Sequence, residues 1–271
     1  MAVAGSNILN FIVWQPNPIA IDFGVISLSW YGLTWSLSII ASYFLAKIIL
    51  KKEGKSEHYA VLLIQYLFIG AILGARIFDV LYYHWHEFLA RPFLIFEIWN
   101  GGMASHGAML GVMCCILLFI KKYKEFTFLW ILDKVAIVSA LSSVFIRLGN
   151  FMNSELYGKP TDLPWAMVFP LKDSLLLPRH PVQLYEAFWY LICFLTFWYL
   201  FSTRKLKDGF LTALFGIMFL GGRFIIEFVK EPDVFFGPFT NTQWLSLFFV
   251  AVGILMMIRG KLYVTEKRTT Q

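Results

Sequence analysis

The sequence contains few charged residues. Of its 271 residues, 15% are Asp, Glu, Lys or Arg, whereas about 25% is usual in soluble domains. Hydrophobic residues make up 59% of the chain, and the mean hydropathy is +0.67. This composition excludes an ordinary soluble domain and indicates an integral membrane protein.

The sequence also lacks internal repeats, low-complexity tracts and any sign of a second domain. Short segments of alternating polarity, which a membrane β-barrel requires, are absent as well. We therefore predict an all-α polytopic membrane protein that forms one integral-membrane domain over residues 1–271.

Cysteine is scarce, and so is positive charge near the N-terminus. The three cysteines all fall inside apolar runs, so no disulfide framework is expected. The first 24 residues contain no Lys or Arg and are interrupted by Pro16 and Pro18. They do not resemble a secretory signal peptide, and we expect an interfacial segment on the outer face.

Long apolar runs, in contrast, are abundant. A hydrocarbon core of about 30 Å requires roughly 20 apolar residues per helix. Runs that meet this length predict about seven transmembrane helices, at approximately 25–46, 60–83, 103–120, 130–149, 182–203, 209–229 and 243–258.

The distribution of Lys and Arg between the loops predicts the orientation, because the cytoplasmic loops carry the excess of these residues. One set of loops contains fourteen: Lys47, Lys51, Lys52, Lys55, Lys121, Lys122, Lys124, Arg204, Lys205, Lys207, Arg259, Lys261, Lys267 and Arg268. The other contains five: Arg91, Lys159, Lys172, Arg179 and Lys230. We therefore place the N-terminus outside and the C-terminus in the cytoplasm. The net charge of +6 follows from this topology and does not indicate a nucleic-acid partner.

A dense polar stretch follows the fourth run and begins the outer-face loop region at about 150–181. Arg147, Asn150 and Glu155 are close in sequence, and Gly158 follows them. A guanidinium at the mouth of a membrane helix is a planar fork suited to phosphate or carboxylate. The alternative interpretation is an arginine that extends to the membrane interface.

Two further candidates lie near the outer surface. His106 lies one turn below it, after a Gly-rich segment, and its ordinary pKa of about 6.5 suits proton transfer. The alternative is a hydrogen-bonded histidine in the helix core. Tyr31 follows Trp30 at the start of the first run, where an interfacial aromatic belt is the alternative interpretation.

The sixth run contains Arg223 and, four residues later, Glu227. An ion pair within one helix would explain this spacing. However, charged residues inside a membrane are commonly functional, and Arg223 lies at the level of Arg147 and His106. We interpret Gln183 and Glu186, at the outer end of the fifth run, as supporting structure.

Other polar residues have structural interpretations. Asp79 is three residues after Arg76, which predicts a stabilising pair. Glycines in the second and third runs, at 70, 74, 107 and 111, predict close helix packing. The His84–Glu87 segment lacks the HExxH spacing, so we expect no metal site there.

One layer therefore contains two arginines and a basic histidine at the level of phospholipid headgroups. Its members are Tyr31, His106, Arg147, Asn150, Glu155, Arg223 and Glu227. This composition predicts a phosphodiester ligand, with Glu155 and Glu227 holding the guanidiniums in place.

The sequence resembles the prolipoprotein diacylglyceryl transferases of bacterial inner membranes. The segments that carry the resemblance are WYGLTW at 30–35, NGGMASHGAMLG at 100–111, RLGNFMNSELYG at 147–158, LPRHPVQLYE at 177–186 and GGRFIIEF at 221–228. Ser154 departs from the glycine that many members carry, and the segment 171–177 is shorter than in many members.

The resemblance implies transfer of the diacylglyceryl group of phosphatidylglycerol to the thiol of the lipobox cysteine of an exported prolipoprotein. A thioether forms, glycerol phosphate leaves, and no cofactor is expected. We assign the base to His106, with Glu155 as the second candidate, and phosphate stabilisation to Arg147 and Arg223. We place Tyr31, Arg147, Asn150, Gly158 and Glu227 in the substrate-binding site.

The competing interpretation is a seven-span transporter or binding protein for an anionic solute or lipid headgroup, which would use the same arginines. The absence of inverted repeats and the position of the charges at one face argue against it. An intramembrane aspartyl protease is excluded because Asp79 and Asp133 are predicted at opposite faces.

Overall fold

The computed structural model describes residues 11–24, 27–97, 104–231, 235–262 and 266–267. These residues are mostly helical, as predicted. The helices are α1 Trp30–Lys52, α2 His58–Phe78, α3 Trp85–Ala90, α4 Ser105–Lys122, α5 Phe128–Met152, α6 Val182–Thr203, α7 Phe210–Leu214, α8 Gly221–Ile226 and α9 Asn241–Gly260. Segments of π-helix (Asp79–Tyr83 and Phe215–Leu220) and 3-10 helix (Pro92–Phe96 and Glu227–Val229) join some of them.

Short strands within these described ranges form four two-stranded sheets. The strands are β1 Ile12–Val13, β2 Ile19–Asp22, β3 Ser27–Ser29, β4 Met167–Val168, β5 Arg204–Lys205, β6 Phe235–Phe236, β7 Phe239–Thr240 and β8 Glu266–Lys267. β1 pairs with β4 in parallel, whereas β2 with β3, β5 with β8 and β6 with β7 are antiparallel.

Six helical segments of the described chain are long and apolar enough to cross a membrane: Trp30–Lys52, His58–Tyr83, Phe128–Met152, Val182–Thr203, Phe210–Val229 and Asn241–Arg259. They correspond to six of the seven predicted spans, which confirms a multi-pass membrane protein. The remaining predicted span, 103–120, corresponds to α4, which has 18 residues. The count of seven and the orientation stay predictions.

The first span begins and ends later than the predicted 25–46. Residues 27–29 pair with β2, so the helix begins only at Trp30. It then continues to Lys52, with Lys51 and Lys52 in its last turn. Basic side chains stabilise that position because the C-terminus of a helix carries partial negative charge. Lys47 is therefore in the helix and not in the following loop.

The chain divides into two compact units, one formed by Met1–Ser42 with Leu132–Gln271 and the other by Tyr43–Ile131. The second unit is organised around α2 and α4, which pack through glycines. A Cβ added at Gly70 would lie 2.6 Å from the Gly111 carbonyl oxygen. The predicted close packing of these helices is confirmed, because no larger residue fits at this crossing.

In the first unit the N-terminal segment packs against the outer-face loop region. The Trp14 ring stacks on Phe151 with centroids 4.2 Å apart, and its Nε1 donates to the Phe151 carbonyl at 2.9 Å. The Trp14 backbone N–H donates to the carbonyl oxygen of Val168. The two segments that the sequence places on one face therefore contact each other. The prediction of a single integral-membrane domain with this loop region stays a prediction.

Candidate active site

Arg147 lies in the penultimate turn of α5, and its side chain is buried. Its Nε is 2.9 Å from Glu186 Oε2 on α6, and its Nη1 donates to Asn150 Oδ1 at 3.3 Å. The geometry of the Glu186 contact is not that of an aligned hydrogen bond, so the contact is mainly electrostatic. Glu186 and Asn150 therefore fix one side of the guanidinium.

Helix α6 presents a buried polar stripe to this arginine. Gln183, Glu186 and Tyr190 follow one another at spacings of three and four residues, which places them on one helix face. Each is at most 1% exposed. Gln183 Nε2 donates to the Glu155 carbonyl at 2.6 Å, which ties the loop after α5 to α6. Gln183 Oε1, both Glu186 oxygens and the Tyr190 hydroxyl have no hydrogen-bond partner among the described residues.

Arg223 approaches the same stripe from α8. Gly222 lies directly against the indole of Trp189, and a Cβ there would overlap the ring nitrogen. The Tyr190 hydroxyl is in electrostatic range of Arg223, Arg147 and Glu186. Arg223 is half-buried, and within the described part of the chain it forms no hydrogen bond or ion pair. It is therefore a cation in a membrane-spanning segment without a counter-charge of its own among the described residues.

The ion pair between Arg223 and Glu227, which their spacing allows, is not formed. The backbone between the two residues is helical, because the Glu227 N–H donates to the Arg223 carbonyl oxygen, so the difference lies in where the Glu227 side chain turns. Its Oε1 instead accepts from Thr240 Oγ1 at 3.5 Å, and its Oε2 lies 4.0 Å from Lys230 Nζ. Glu227 is buried and connects the end of this span to the start of α9.

The prediction that Glu155 and Glu227 hold the guanidiniums is therefore wrong within the described residues. The carboxylate paired with Arg147 is Glu186. Glu155 is half-buried, and its Oε1 accepts from Asn153 Nδ2 at 3.4 Å. Its carboxylate is not used in an ion pair with another described residue.

Gly158 and Tyr31 have close contacts that explain their positions. A Cβ at Gly158 would lie 2.5 Å from the Val229 carbonyl oxygen, so only glycine allows the loop to approach the end of the Phe210–Val229 span. A Cβ at Gly149 would meet the Tyr31 ring at 3.2 Å. Tyr31 therefore packs against Gly149 on α5, and Gly149 is two residues after Arg147.

His106 lies in the second unit, whereas the other predicted site residues lie in the first. It is in the first turn of α4, its side chain is exposed, and its ring centroid lies 6.5 Å from that of Phe78. Because the His106 ring is exposed, a ligand can reach it and exchange a proton with it.

The predicted Arg76–Asp79 pair in the second unit is confirmed. Arg76 Nη1 lies 3.8 Å from Asp79 Oδ2, which also lies 3.3 Å from His84 Nδ1. The guanidinium of Arg76 further donates to the carbonyls of Leu94 and Ile95. These contacts hold the segment after α3 against α2. Among the residues that the structure describes, no three His, Cys, Asp or Glu side chains are grouped as metal ligands.

A second ion network stabilises the outer-face loop region. Arg179 Nε lies 2.6 Å from Asp173 Oδ2, and Arg179 Nη1 lies 2.7 Å from Glu231 Oε2 and donates to the Gly158 carbonyl. Burial raises the pKa of Asp173, but the hydrogen bonds from Arg179 and from backbone amides outweigh it, so the pKa is lowered. Burial lowers the pKa of His180, which favours its neutral form.

Glu186, Gln183 and Tyr190 are the residues of this cluster that the sequence interpretation did not assign to the site. The first two appear as supporting structure, and Tyr190 is not singled out. Their regular spacing along α6, with two polar groups and a tyrosine on an otherwise apolar face, is the signal that identifies them.

Comparison with known proteins identifies the family. The prolipoprotein diacylglyceryl transferase family model matches residues 18–259. A phosphatidylglycerol–prolipoprotein diacylglyceryl transferase from Tolumonas auensis is 43% identical over 251 residues, covering 91% of this chain and 96% of that protein. Proteins with the same name from Bordetella avium and Chloroherpeton thalassium are 39% and 34% identical, covering 90% and 93% of this chain and 94% and 95% of theirs. The chain therefore belongs to the prolipoprotein diacylglyceryl transferase family.

Proposed function

We propose that this protein transfers the diacylglyceryl group of phosphatidylglycerol to the thiol of the lipobox cysteine in a prolipoprotein, forming a thioether and releasing glycerol phosphate. Family membership and the names of the relatives support the substrates. The single structural observation that carries the proposal is the pair of arginines around Tyr190. One of them, Arg223, has no counter-charge of its own among the described residues, which suits a phosphate ligand.

In this reaction the substrate sulfur attacks the glycerol carbon of the diacylglyceryl group. The carbon–oxygen bond to the phosphate breaks, and its electron pair stays on the phosphate oxygen. The thiol must first lose its proton, because the thiolate is the nucleophile. Charge then develops on the leaving phosphate, where Arg147 and Arg223 stabilise it.

The fixed side of Arg147 determines which of its donors are available. Nε faces Glu186 and Nη1 contacts Asn150 Oδ1, so the remainder of the guanidinium, on the side of the Tyr190 hydroxyl, is left for a phosphate oxygen. Because Asn150 accepts through its oxygen, its amide nitrogen can donate to the same ligand. Arg223, without such contacts, contributes its whole fork.

The other proposed binding residues shape the space around this phosphate. Tyr31 packs beside α5 near Arg147, where its hydroxyl can contact the headgroup. Gly158 allows the loop to approach Val229 and Val182 closely. Glu227 connects the end of the Phe210–Val229 span to α9 through its hydrogen bond with Thr240. We assign Gly158 and Glu227 to positioning the binding site around the substrate.

We assign the base to His106, with Glu155 as the second candidate. The His106 side chain is exposed, so its imidazole can accept a proton from a bound thiol. Glu155 is half-buried, and its carboxylate accepts a hydrogen bond from Asn153. Comparing His106→Ala with Glu155→Gln separates them, since loss of the base reduces kcat by roughly 10²–10⁴-fold and shifts its pH dependence.

We further propose seven spans, with α4 as the third, an outer N-terminus and a cytoplasmic C-terminus, in the inner membrane of a bacterial cell. The fourteen-to-five distribution of Lys and Arg supports this orientation. In a cysteine-free background, Lys159→Cys should react with an impermeant thiol reagent in intact cells, whereas Lys122→Cys should react only after permeabilisation. The opposite pattern would refute the orientation.

The reaction is tested with purified protein, phosphatidylglycerol labelled in its acyl chains, and a synthetic lipobox peptide. We expect the label to appear on the peptide through a thioether bond, with one glycerol phosphate released per transfer. A matched peptide with serine in place of cysteine tests whether labelling requires the thiol. A transporter or headgroup-binding protein would bind the lipid and give no thioether product.

A further inference from the structure

The Glu186 carboxylate is buried to an unusual degree for a charged group. It is 1% exposed, and neither of its oxygens receives an aligned hydrogen bond from a described residue. Its one ion-pair partner among those residues is Arg147, 2.9 Å away. A buried carboxylate with so few donors keeps most of its electrostatic effect on its surroundings.

The charges around Tyr190 give this part of the protein a defined balance. Arg147 and Arg223 contribute two positive charges and Glu186 contributes one negative charge. Glu227 and Lys230 lie 4.0 Å apart and compensate one another. The cluster formed by Arg147, Arg223 and Glu186 therefore carries one net positive charge, which matches a phosphodiester with its single negative charge.

The two phosphate species of the proposed reaction differ in charge. Phosphatidylglycerol is a phosphodiester monoanion, whereas the released glycerol phosphate is a monoester whose second pKa of about 6 makes it mostly a dianion at pH 7.5. A phosphate bound on the free side of the Arg147 guanidinium lies within about 10 Å of Glu186. At that distance, the repulsion between Glu186 and the added negative charge opposes binding by roughly tenfold at an effective dielectric constant of about 20.

We propose that Glu186 shifts the selectivity of the phosphate site away from a phosphate monoester dianion and towards a phosphodiester monoanion, which favours binding of the substrate and release of the product. This inference rests on the proposed function, because that function supplies the product. Glu186 acts here as a charge-setting and positioning residue for Arg147 and does not contact the reacting atoms.

Two soluble competitors test the inference directly. Glycerophosphoglycerol is the diester headgroup without acyl chains, and glycerol phosphate is the monoester product. Inhibition constants of both are measured at pH 7.5 in the thioether assay, and the quantity of interest is their ratio. We expect this ratio to favour the diester more in the wild-type protein than in a variant without the Glu186 charge.

Glu186→Gln removes the charge and keeps the shape of the side chain. We expect it to shift the ratio of inhibition constants towards the monoester by roughly tenfold. Glu186→Asp keeps the charge and should stay close to the wild-type ratio. Glu231→Gln is the matched control, because Glu231 pairs with Arg179 in the outer-face loop region, and its ratio should not change.

The outcomes separate this inference from the proposed function. A wild-type protein that forms no thioether contradicts the proposed function. If the thioether forms but folded Glu186→Gln keeps the wild-type ratio, the inference is wrong. Should Glu186→Gln fail to fold, Glu186→Met takes its place, because it is also uncharged and the same shift of the ratio is expected; an unchanged ratio in it would overturn the inference.

Discussion

Removing Arg147 and removing Arg223 should have different consequences, although we assign both residues the same chemical task. Arg147 is the one described ion-pair partner of Glu186, which is 1% exposed. Arg147→Ala leaves a buried carboxylate without a counter-charge, and breaking such a pair typically costs about 3–5 kcal/mol. For a protein of this size, that loss corresponds to a decrease in Tm of roughly 10 °C.

Arg223→Ala should cost much less stability. Its side chain is half-buried and forms no ion pair or hydrogen bond with any residue that the structure describes. We expect a loss below about 1 kcal/mol, as for substitutions that break no buried contact. Each arginine is a preorganised donor to the leaving phosphate, so either change should reduce kcat by about 10²–10³-fold.

Two quantities are measured: the rate of thioether formation and the Tm of unfolding in detergent. They are measured for Arg147→Ala, for Arg223→Ala and for the double variant Arg147→Met/Glu186→Leu. Replacing both members of a buried pair with apolar residues is often neutral or stabilising. The double variant should therefore regain the Tm of the wild type and remain inactive. Recovery of activity in it would show that Arg147 has only a structural role. Equal destabilisation of Arg147→Ala and Arg223→Ala would refute the reasoning about their partners.

Three further predictions follow from other features. Ser154 has φ of 56° and a fully buried hydroxyl without a hydrogen-bond partner among the described residues, so Ser154→Gly should stabilise the protein by about 1 kcal/mol. Leu156→Gly, at φ of 58° but exposed, is the control without a buried hydroxyl, and a lower Tm for Ser154→Gly would contradict the prediction. A variant without cysteines (Cys114, Cys115 and Cys193 changed to Ala) should keep most of its activity, whereas a lipid adduct trapped on one of them would indicate a covalent relay. Because Arg179 and backbone amides lower the pKa of Asp173 against the effect of burial, Asp173 stabilises the fold above its unfolded pKa of about 3.9. The difference in Tm between wild type and Asp173→Asn should therefore decrease as pH falls below that value, and a constant difference would contradict the assignment.

The sequence predicted the membrane spans well because hydropathy is a local property of the chain. Six predicted spans correspond to helices that can cross a membrane. The start of the first was wrong because residues 27–29 pair with β2. Strand pairing with another segment cannot be inferred from the hydropathy of the run itself.

The partners of the charged residues were harder to predict. Arg76 and Asp79 are neighbours on one α-helix, so their spacing was sufficient. Arg147 and Glu186 are on α5 and α6, and their contact depends on how these helices are rotated against each other. Spacing within one helix carries no information about that rotation.

The pairing of Arg223 with Glu227 fails for a different reason, which also explains why Arg223 is available to a ligand. The helical spacing is present, because the Glu227 N–H donates to the Arg223 carbonyl oxygen. The Glu227 carboxylate nevertheless turns to Thr240, at the start of α9, and to Lys230. Spacing within one helix therefore allows the pair but does not decide it, since partners from other segments compete for the carboxylate. A charged side chain at this level of a membrane helix that forms no ion pair with a described residue is a common mark of a functional site.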